Sequence, residues 1–458
     1  MFTRRDLLSR AGGGMGMLAL SSLLGSESEH ASASPVVHRP TRKAKSVIWL
    51  FMNGGPSGID LFDPKPLLTK MDGEPFPGKL RTLFPYPGNI MKSPFKFKQH
   101  GQSGKHVSDV FPHVAKHVDD ITFLNACVSN EQNHVPACYV VNTGRQQVGA
   151  PNVGSWATYG LANENRDLPD YVVMYDHRAA PEGGANLWSS GFLPGEFQGT
   201  LFRSGKKPIL HLDRPRGLKA STQKSQLELL NWLNRRSADR YPGATQVEAR
   251  TKSFEMAYQM QSSVPDLADL SDETAATHEL YGLNDPDCKY FGAQCLLARR
   301  MVEREVPFIQ IYHGGYENNW DQHGDLEGGH RDNCYETDQP IAGLLTDLKQ
   351  RGLLDSTLVI WGGEFGRAPV SQDNDGRDHN PYGFTMWMAG GGVKHGYSHG
   401  ETDEFGYLPV QGAVTMPDLH ATILHLMGIN EEELTYQFGG REQTPTNGLG
   451  HVVHDVIA

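Results

Sequence analysis

The seven residues from Ser46 to Met52 read Ser-Val-Ile-Trp-Leu-Phe-Met, with no polar side chain after the first. A strand that is apolar at every position has no face to show to water, so it must be covered on both sides. The run stops at Asn53-Gly54-Gly55-Pro56-Ser57, a loop composition. A short apolar run between turn signals predicts a buried strand of a parallel sheet, and a parallel sheet needs crossover helices. The rest of the chain supplies them. Ile121 to Ala126 reads as a strand, and Asn133 to Asn142 as a helix closed by Thr143-Gly144-Arg145. Beyond 288, Phe291, Cys295, Ala298 and Val302 recur at helical spacing before a strand at Val306 to Tyr312. Ile341, Leu344, Leu345 and Leu348 mark a helix before strands at Thr357 to Trp361 and Phe384 to Ala389. Met416 to Met427 reads as a helix stopped by Gly428. This alternation predicts an α/β fold: a doubly wound, mostly parallel sheet with helices on both faces.

Other stretches are less regular. Residues 34–45 read as an irregular leader and 64–105 as a surface excursion rich in Pro, Lys and Phe. Val110 to Val118 predicts a short helix. Residues 160–285 hold a strand at Tyr171 to Tyr175 and helices near 223–235 and 246–261, within a composition that reads as an insertion or subdomain. The expected organisation is therefore a signal at 1–33 and a single α/β domain at 34–458.

The signal is read from Thr3-Arg4-Arg5-Asp6-Leu7-Leu8, an apolar run from Gly12 to Leu24, and Ala31-Ser32-Ala33 as a small-x-small cleavage site. Paired arginines ahead of the apolar run point to the twin-arginine route, which carries folded proteins to the periplasm or beyond. The run is shorter than the roughly 20 residues a membrane span needs, and no later stretch approaches that length. An uncleaved N-terminal anchor is the alternative. The 53 acidic residues outnumber the 42 basic ones, for a net charge of −11. Nucleic-acid binding calls for the opposite balance. The five cysteines are scattered with no C-x-x-C pair, which argues against a thiolate zinc site and leaves room for one or two isolated disulfides after export.

In a parallel sheet, ligands bind outside the carboxyl ends of the strands. Asp60 and Asp63 follow the first strand, and His313, Asp321, His323 and Asp325 follow the strand at 306–312. Glu364 and Arg367 follow the strand at 357–361, and His379 leads into the strand at 384–389. Mixed Asp, Glu and His donors beside glycines suit a divalent cation, zinc or manganese. Asp321 and His323 are two apart, so in an extended segment both face one way. Plain structural roles compete: Asp60 as a helix cap, Glu364 paired with Arg367, Asp321, His323 and His379 as loop residues. His420 and His425 fall on an amphipathic helix and read as packing or surface residues. His395 and His399 read as loop residues.

Several stretches together resemble the DUF1501 family of exported bacterial proteins: FMNGGPSGIDLFDPKP at 51–66, TGRQQVGAPNVGSWATYGL at 143–161, WDQHGD at 320–325, TLVIWGGEFGRAP with GRDHNPYGF at 357–384, GETDEFGY at 400–407 and DLHATILHLMGI at 418–429. That family is in turn similar to the alkaline phosphatase-like superfamily, which includes sulfatases. The resemblance implies an alkaline phosphatase-like core with one or two divalent metals at the carboxyl edge of the sheet. It implies as ligands Asp60, Asp321 with His323, Glu364 and His379. In sulfatases a C-x-P-S-R segment opens a helix that ends in T-G-R. Here HVPACYVVNTGR puts His134 where the cysteine belongs. Three readings of His134 follow: a metal ligand with a metal-activated water as nucleophile, a nucleophile in its own right, or the mark of a site that only binds. Arg145 and Arg367 are the expected anion clamps. The implied activity is metal-dependent hydrolysis of phosphate or sulfate esters, on a small molecule or a polysaccharide. The alternative is a non-catalytic exported binding or envelope protein.

Overall fold

The computed structural model describes residues 40–84, 87–161, 168–203, 207–214, 216–238, 245–315, 319–373 and 375–458. The expected export signal lies outside them. The elements that build the site are, in chain order, β1 (Ser46–Met52), α1 (Gly58–Leu61), β2 (Ile121–Val128), α2 (His134–Thr143), α3 (Val153–Leu161), β3 (Tyr171–Tyr175), β4 (Thr200–Leu201), α4 (Ala220–Ala238), α5 (Thr245–Ala268), α6 (Lys289–Val302), β5 (Phe308–His313), α7 (Leu326–Gln350), β6 (Thr357–Gly362), β7 (Gly366–Gln372), β8 (Gly376–Asn380), β9 (Phe384–Ala389), β10 (Tyr397–His399), β11 (Val414–Thr415) and α8 (Met416–Leu426).

β1 lies at the centre of a nine-stranded sheet in the order β10-β2-β9-β6-β1-β5-β3-β4, with β11 also paired to β2. It runs parallel to β5 on one side and β6 on the other. Every one of its residues is buried. Alternate residues face opposite sides of a strand, and here they enter two separate cores. Ile48, Leu50 and Met52 pack with α6 and α7 through residues such as Cys295, Met301, Ile341 and Leu345. Val47, Trp49 and Phe51 pack with α2, α3 and α8 through Val141, Trp156 and Ile423. The unbroken apolar run is thus the signature of a two-sided core. α8 starts on a reciprocal cap, in which Thr415 and Asp418 each accept the other's backbone N–H.

Three features depart from the sequence reading. β9 runs antiparallel to both β6 and β2, so its entry, not its exit, lies at the carboxyl edge of its neighbours. That reversal is why a residue preceding a strand can join residues that follow strands. Residues 366–380, where no strand is expected, form the antiparallel hairpin β7–β8 with His379 opposite Arg367. The expected helix at 110–118 is instead a 3-10 helix at Val114–Asp120. Asp338 of α7 accepts the backbone N–H groups of His113 and Val114 and fixes where it starts. The stretch 160–285 contributes β3 and β4 to the sheet before leaving it as α4 and α5. All five cysteines are free and buried, with no disulfide among the described residues. No helix among the described residues is long and apolar enough to cross a membrane.

Candidate metal centre

The site begins where β1 ends. Gly54 has φ 112°, and a side chain there would meet the backbone of Trp320 and Asp321 at about 2.6 Å, so only glycine allows the two loops to touch. The backbone N–H of Gly54 donates to both carboxylate oxygens of Glu364, at 2.9 and 3.1 Å. Arg367 is fully buried and fastens the same contact. Its Nε donates to Gly55 O at 2.8 Å, its Nη1 to Arg377 O at 3.0 Å, and its Nη2 to Gly54 O, to Trp320 O and to Asp321 Oδ1 at 2.8 Å.

Three imidazoles meet the Asp321 carboxylate. Nε2 of His134, the first residue of α2, lies 3.0 Å from Oδ2. Nε2 of His323 and of His379 lie 2.9 and 3.0 Å from Oδ1. One ligand atom from each of these four residues lies within 4.8 Å of every other. The opposite nitrogen of each ring is held by an acceptor. Nδ1–H of His134 donates to Glu364 Oε1 at 2.6 Å, that of His323 to Gln372 Oε1 at 2.5 Å, and that of His379 to the Gln132 carbonyl at 2.5 Å. A neutral imidazole carries one proton, and these acceptors place it on Nδ1, which turns the Nε2 of each ring toward a carboxylate that is itself only an acceptor.

A second proton relieves this at one ring, His134, and not at His379. Burial drives the pKa of His379 down to about 3, with the Arg367 charge adding to the effect, so the ring stays neutral. His134 behaves oppositely. Burial lowers its pKa, but Asp321 and Glu364 outweigh that and raise it to about 10. The Asp321 carboxyl is disfavoured by burial, yet the Arg367 charge and three histidines hold it far below the usual carboxylate range. Imidazole nitrogens converging on a carboxylate, each ring fixed by a hydrogen bond from its far nitrogen, are the donor set of a divalent-cation site.

A second compact group, Asp176, His313 and Glu336, is also close enough to hold an ion, but its protons are accounted for. Trp320 Nε1–H donates to His313 Nδ1 at 3.2 Å, which leaves Nε2–H to donate to Glu336 at 3.0 Å. Arg178 bridges Glu336 and Asp176.

Of the expected ligands, Asp321, His323 and His379 therefore come together, joined by His134. Two do not belong with them. Glu364 stands one layer out, spent on Gly54 and His134. Asp60 is fully buried elsewhere, its two oxygens taken by Arg377 at 2.8 and 3.1 Å with Ser57 also donating to it. Neither arginine is placed as an anion clamp on this centre. Arg367 spends its donors on backbone carbonyls and Asp321. Arg145 lies past the far end of α2, about 15 Å along a ten-residue helix, and bonds Gln443 and Asn447. Gln132, Gln372 and Arg377 were not singled out from the sequence. Gln132 acts through its backbone carbonyl, which leaves no trace in residue type.

The fold and site define an α/β protein with a histidine–aspartate cluster, compatible with a divalent metal, at the carboxyl edge of its sheet. The chain belongs to the DUF1501 family, described as protein of unknown function, whose model matches residues 44–457. No curated protein matches it in sequence. Solved structures with a similar fold include the lipoteichoic acid synthase LtaP from Listeria monocytogenes, at 9% identity and TM-score 0.38 over 86% of this chain and 76% of that one. The PsFucS1 sulfatase from Pseudoalteromonas sp. is similar at 12% identity and TM-score 0.35, over 91% and 71%. The alkaline phosphatase from the Antarctic bacterium TAB5 is similar at 10% identity and TM-score 0.35, over 85% and 97%.

Proposed function

We propose that this protein is an exported hydrolase of phosphate or sulfate esters that depends on one divalent ion, zinc or manganese, held by His134, Asp321, His323 and His379. The observation that carries the reading is the arrangement of the rings: three Nε2 atoms converge on one carboxylate, and each ring is locked from behind by an acceptor at Nδ1. A cation bound there supplies Lewis-acid stabilisation of charge developing on an ester's oxygens. The rest falls to the chain's own residues. Glu364 fixes the ring of His134, and Arg367 fixes Asp321 and keeps it ionised. His134 is held by Glu364 at Nδ1 and faces Asp321 with Nε2, which favours its role as a ligand over that of a nucleophile.

Hydrolysis joins a water oxygen to phosphorus or sulfur, breaks the ester bond and leaves an oxygen that needs a proton. Glu182 is our candidate for carrying that proton. It is half-buried and close enough to feel the charges of His134, Glu364 and Asp321, and burial raises its carboxyl pKa. Export by the twin-arginine route accords with a site whose donors, from residue 134 to residue 379, meet only after the sheet has formed.

The test is metal analysis of the purified mature chain, followed by assays with an aryl phosphate, a phosphodiester and an aryl sulfate. Stoichiometric metal and turnover of one ester class, both lost in Asp321→Asn, are expected. A chain that retains no metal and is indifferent to chelator overturns the site. A loaded chain silent on all three esters overturns the activity.

A further inference from the structure

A cavity of about 950 Å³ lies beside Val140 of α2 and is lined by Ser129 and Asn130 from before the helix and by Gly144 and Arg145 from after it. One wall is a small hairpin, Tyr436–Phe438 paired with Arg441–Gln443. Its turn is Gly439-Gly440, with φ of 60° and 73°, the consecutive positive angles that a two-residue hairpin turn demands. The register sets Phe438 opposite Arg441 and Tyr436 opposite Gln443, with Gln437 and Glu442 between them. Because side chains alternate along a strand, ring, guanidinium and amide share the face that carries the cavity wall, and the hairpin's one carboxylate takes the other.

The stacking continues inward. Phe438 lies against Phe192 at 5.0 Å and 17°. The guanidinium of Arg145 sits 5.7 Å from the centre of the Phe192 ring. Gln443 and Asn447 hold its Nη2, while its Nε and Nη1 donate to no described residue. The chain as a whole has an acidic excess, yet this cavity is lined by Arg145 and Arg441 and by no carboxylate. Ser129, in the wall, is buried and its hydroxyl has no partner among the described residues.

We propose that this cavity binds an acidic oligosaccharide, one bearing sulfate or carboxylate groups. Guanidinium groups pair with such oxyanions through parallel hydrogen bonds. The exposed face of Phe438 offers a flat apolar surface to the C–H face of a sugar ring, while neighbouring amides and Ser129 answer its hydroxyls. Mixed apolar walls with a few placed polar groups, at this volume, are the makeup of a small-ligand site. An acidic peptide carries the charge without the rigid ring.

The experiment is calorimetric titration of the mature chain with a short dextran sulfate, beside neutral dextran and polyglutamate. Dextran sulfate should bind, with the two comparators at least tenfold weaker. Phe438→Ala and Arg441→Ala should each weaken binding tenfold or more at unchanged melting temperature and metal content, both side chains being exposed. Asp321→Asn should leave this binding intact, so failure of the proposed hydrolysis would not touch it. No binding, equal binding of either comparator, or indifference to both substitutions overturns the assignment.

Discussion

Replacing Asp60 by alanine separates two roles that a carboxylate at a strand end can have. Asp60 and Arg377 are both fully buried and form a two-point ion pair. Removing the carboxylate leaves the guanidinium with only the carbonyls of Ala368 and Met91, an uncompensated charge in the interior. Breaking such a pair costs about 3–5 kcal/mol. With an unfolding entropy near 2.1 cal/mol/K per residue, a folded body of about 410 residues changes by roughly 0.9 kcal/mol per degree. The melting temperature should therefore fall by about 3–6 °C. Because Asp60 is not a ligand, metal content should not change. Asp321→Ala should do the converse and lose the metal. The double variant Asp60→Ala/Arg377→Met should recover most of the lost stability, since it removes the stranded charge as well. Melting curves in chelator and elemental analysis of the same preparations decide it. Loss of metal from Asp60→Ala without a fall in melting temperature would refute the assignment.

Three further substitutions test the remaining arrangement. Glu364→Gln weakens the acceptor behind His134 and should lower metal affinity about 10–100-fold, measured by competition with a chromogenic chelator, while the chain stays folded. Glu182→Gln should depress turnover while leaving the metal in place; loss of the ion with the activity would instead make it a ligand. His420 is fully buried, and burial lowers its pKa to about 4, so the unfolded chain takes up its proton first as the pH falls below about 6.5. Its share of stability is complete above that pH and is lost on descending toward 4, at about 1.4 kcal/mol per pH unit. Glutamine can keep the bond that His420 Nε2 donates to Val141 O, so urea midpoints of His420→Gln should vary less over pH 4–6.5 than those of the parent.

The parts of the fold legible in the sequence are those where packing alone dictates residue type. β1 is apolar throughout because it faces two cores, and α6 and α7 each show an apolar stripe because each faces one. The direction of β9 is not legible: Phe384–Ala389 is as apolar as a parallel strand would be, and an apolar pattern carries no polarity. The hairpin β7–β8 escaped for a different reason. Its buried residues include Arg367, Arg377 and His379, chosen for hydrogen bonds, so the alternation that betrays a strand is missing.

The site shows a sharper boundary. Residue type and strand-end position pick out candidates, but they cannot tell a ligand from its support. Asp60 looks like a donor until Arg377, 317 residues later, is seen to occupy it. Glu364 accepts the Nδ1 proton of His134 and so turns Nε2, the nitrogen that would meet a cation, toward Asp321. His313 shows why such detail decides. It ends β5, beside Asp176 and Glu336, at a position no less favourable than that of His379. There the indole of Trp320 donates to Nδ1 and turns the protonation round, so Nε2 gives a hydrogen bond to Glu336 where a metal ligand would present a lone pair. What distinguishes the metal centre is a set of acceptors on the far side of each ring. Two of these, the Gln132 carbonyl and the Gln372 amide, belong to residues whose type announces no such role. A cluster with those acceptors exchanged for donors would keep its sequence motifs and lose its affinity for a cation.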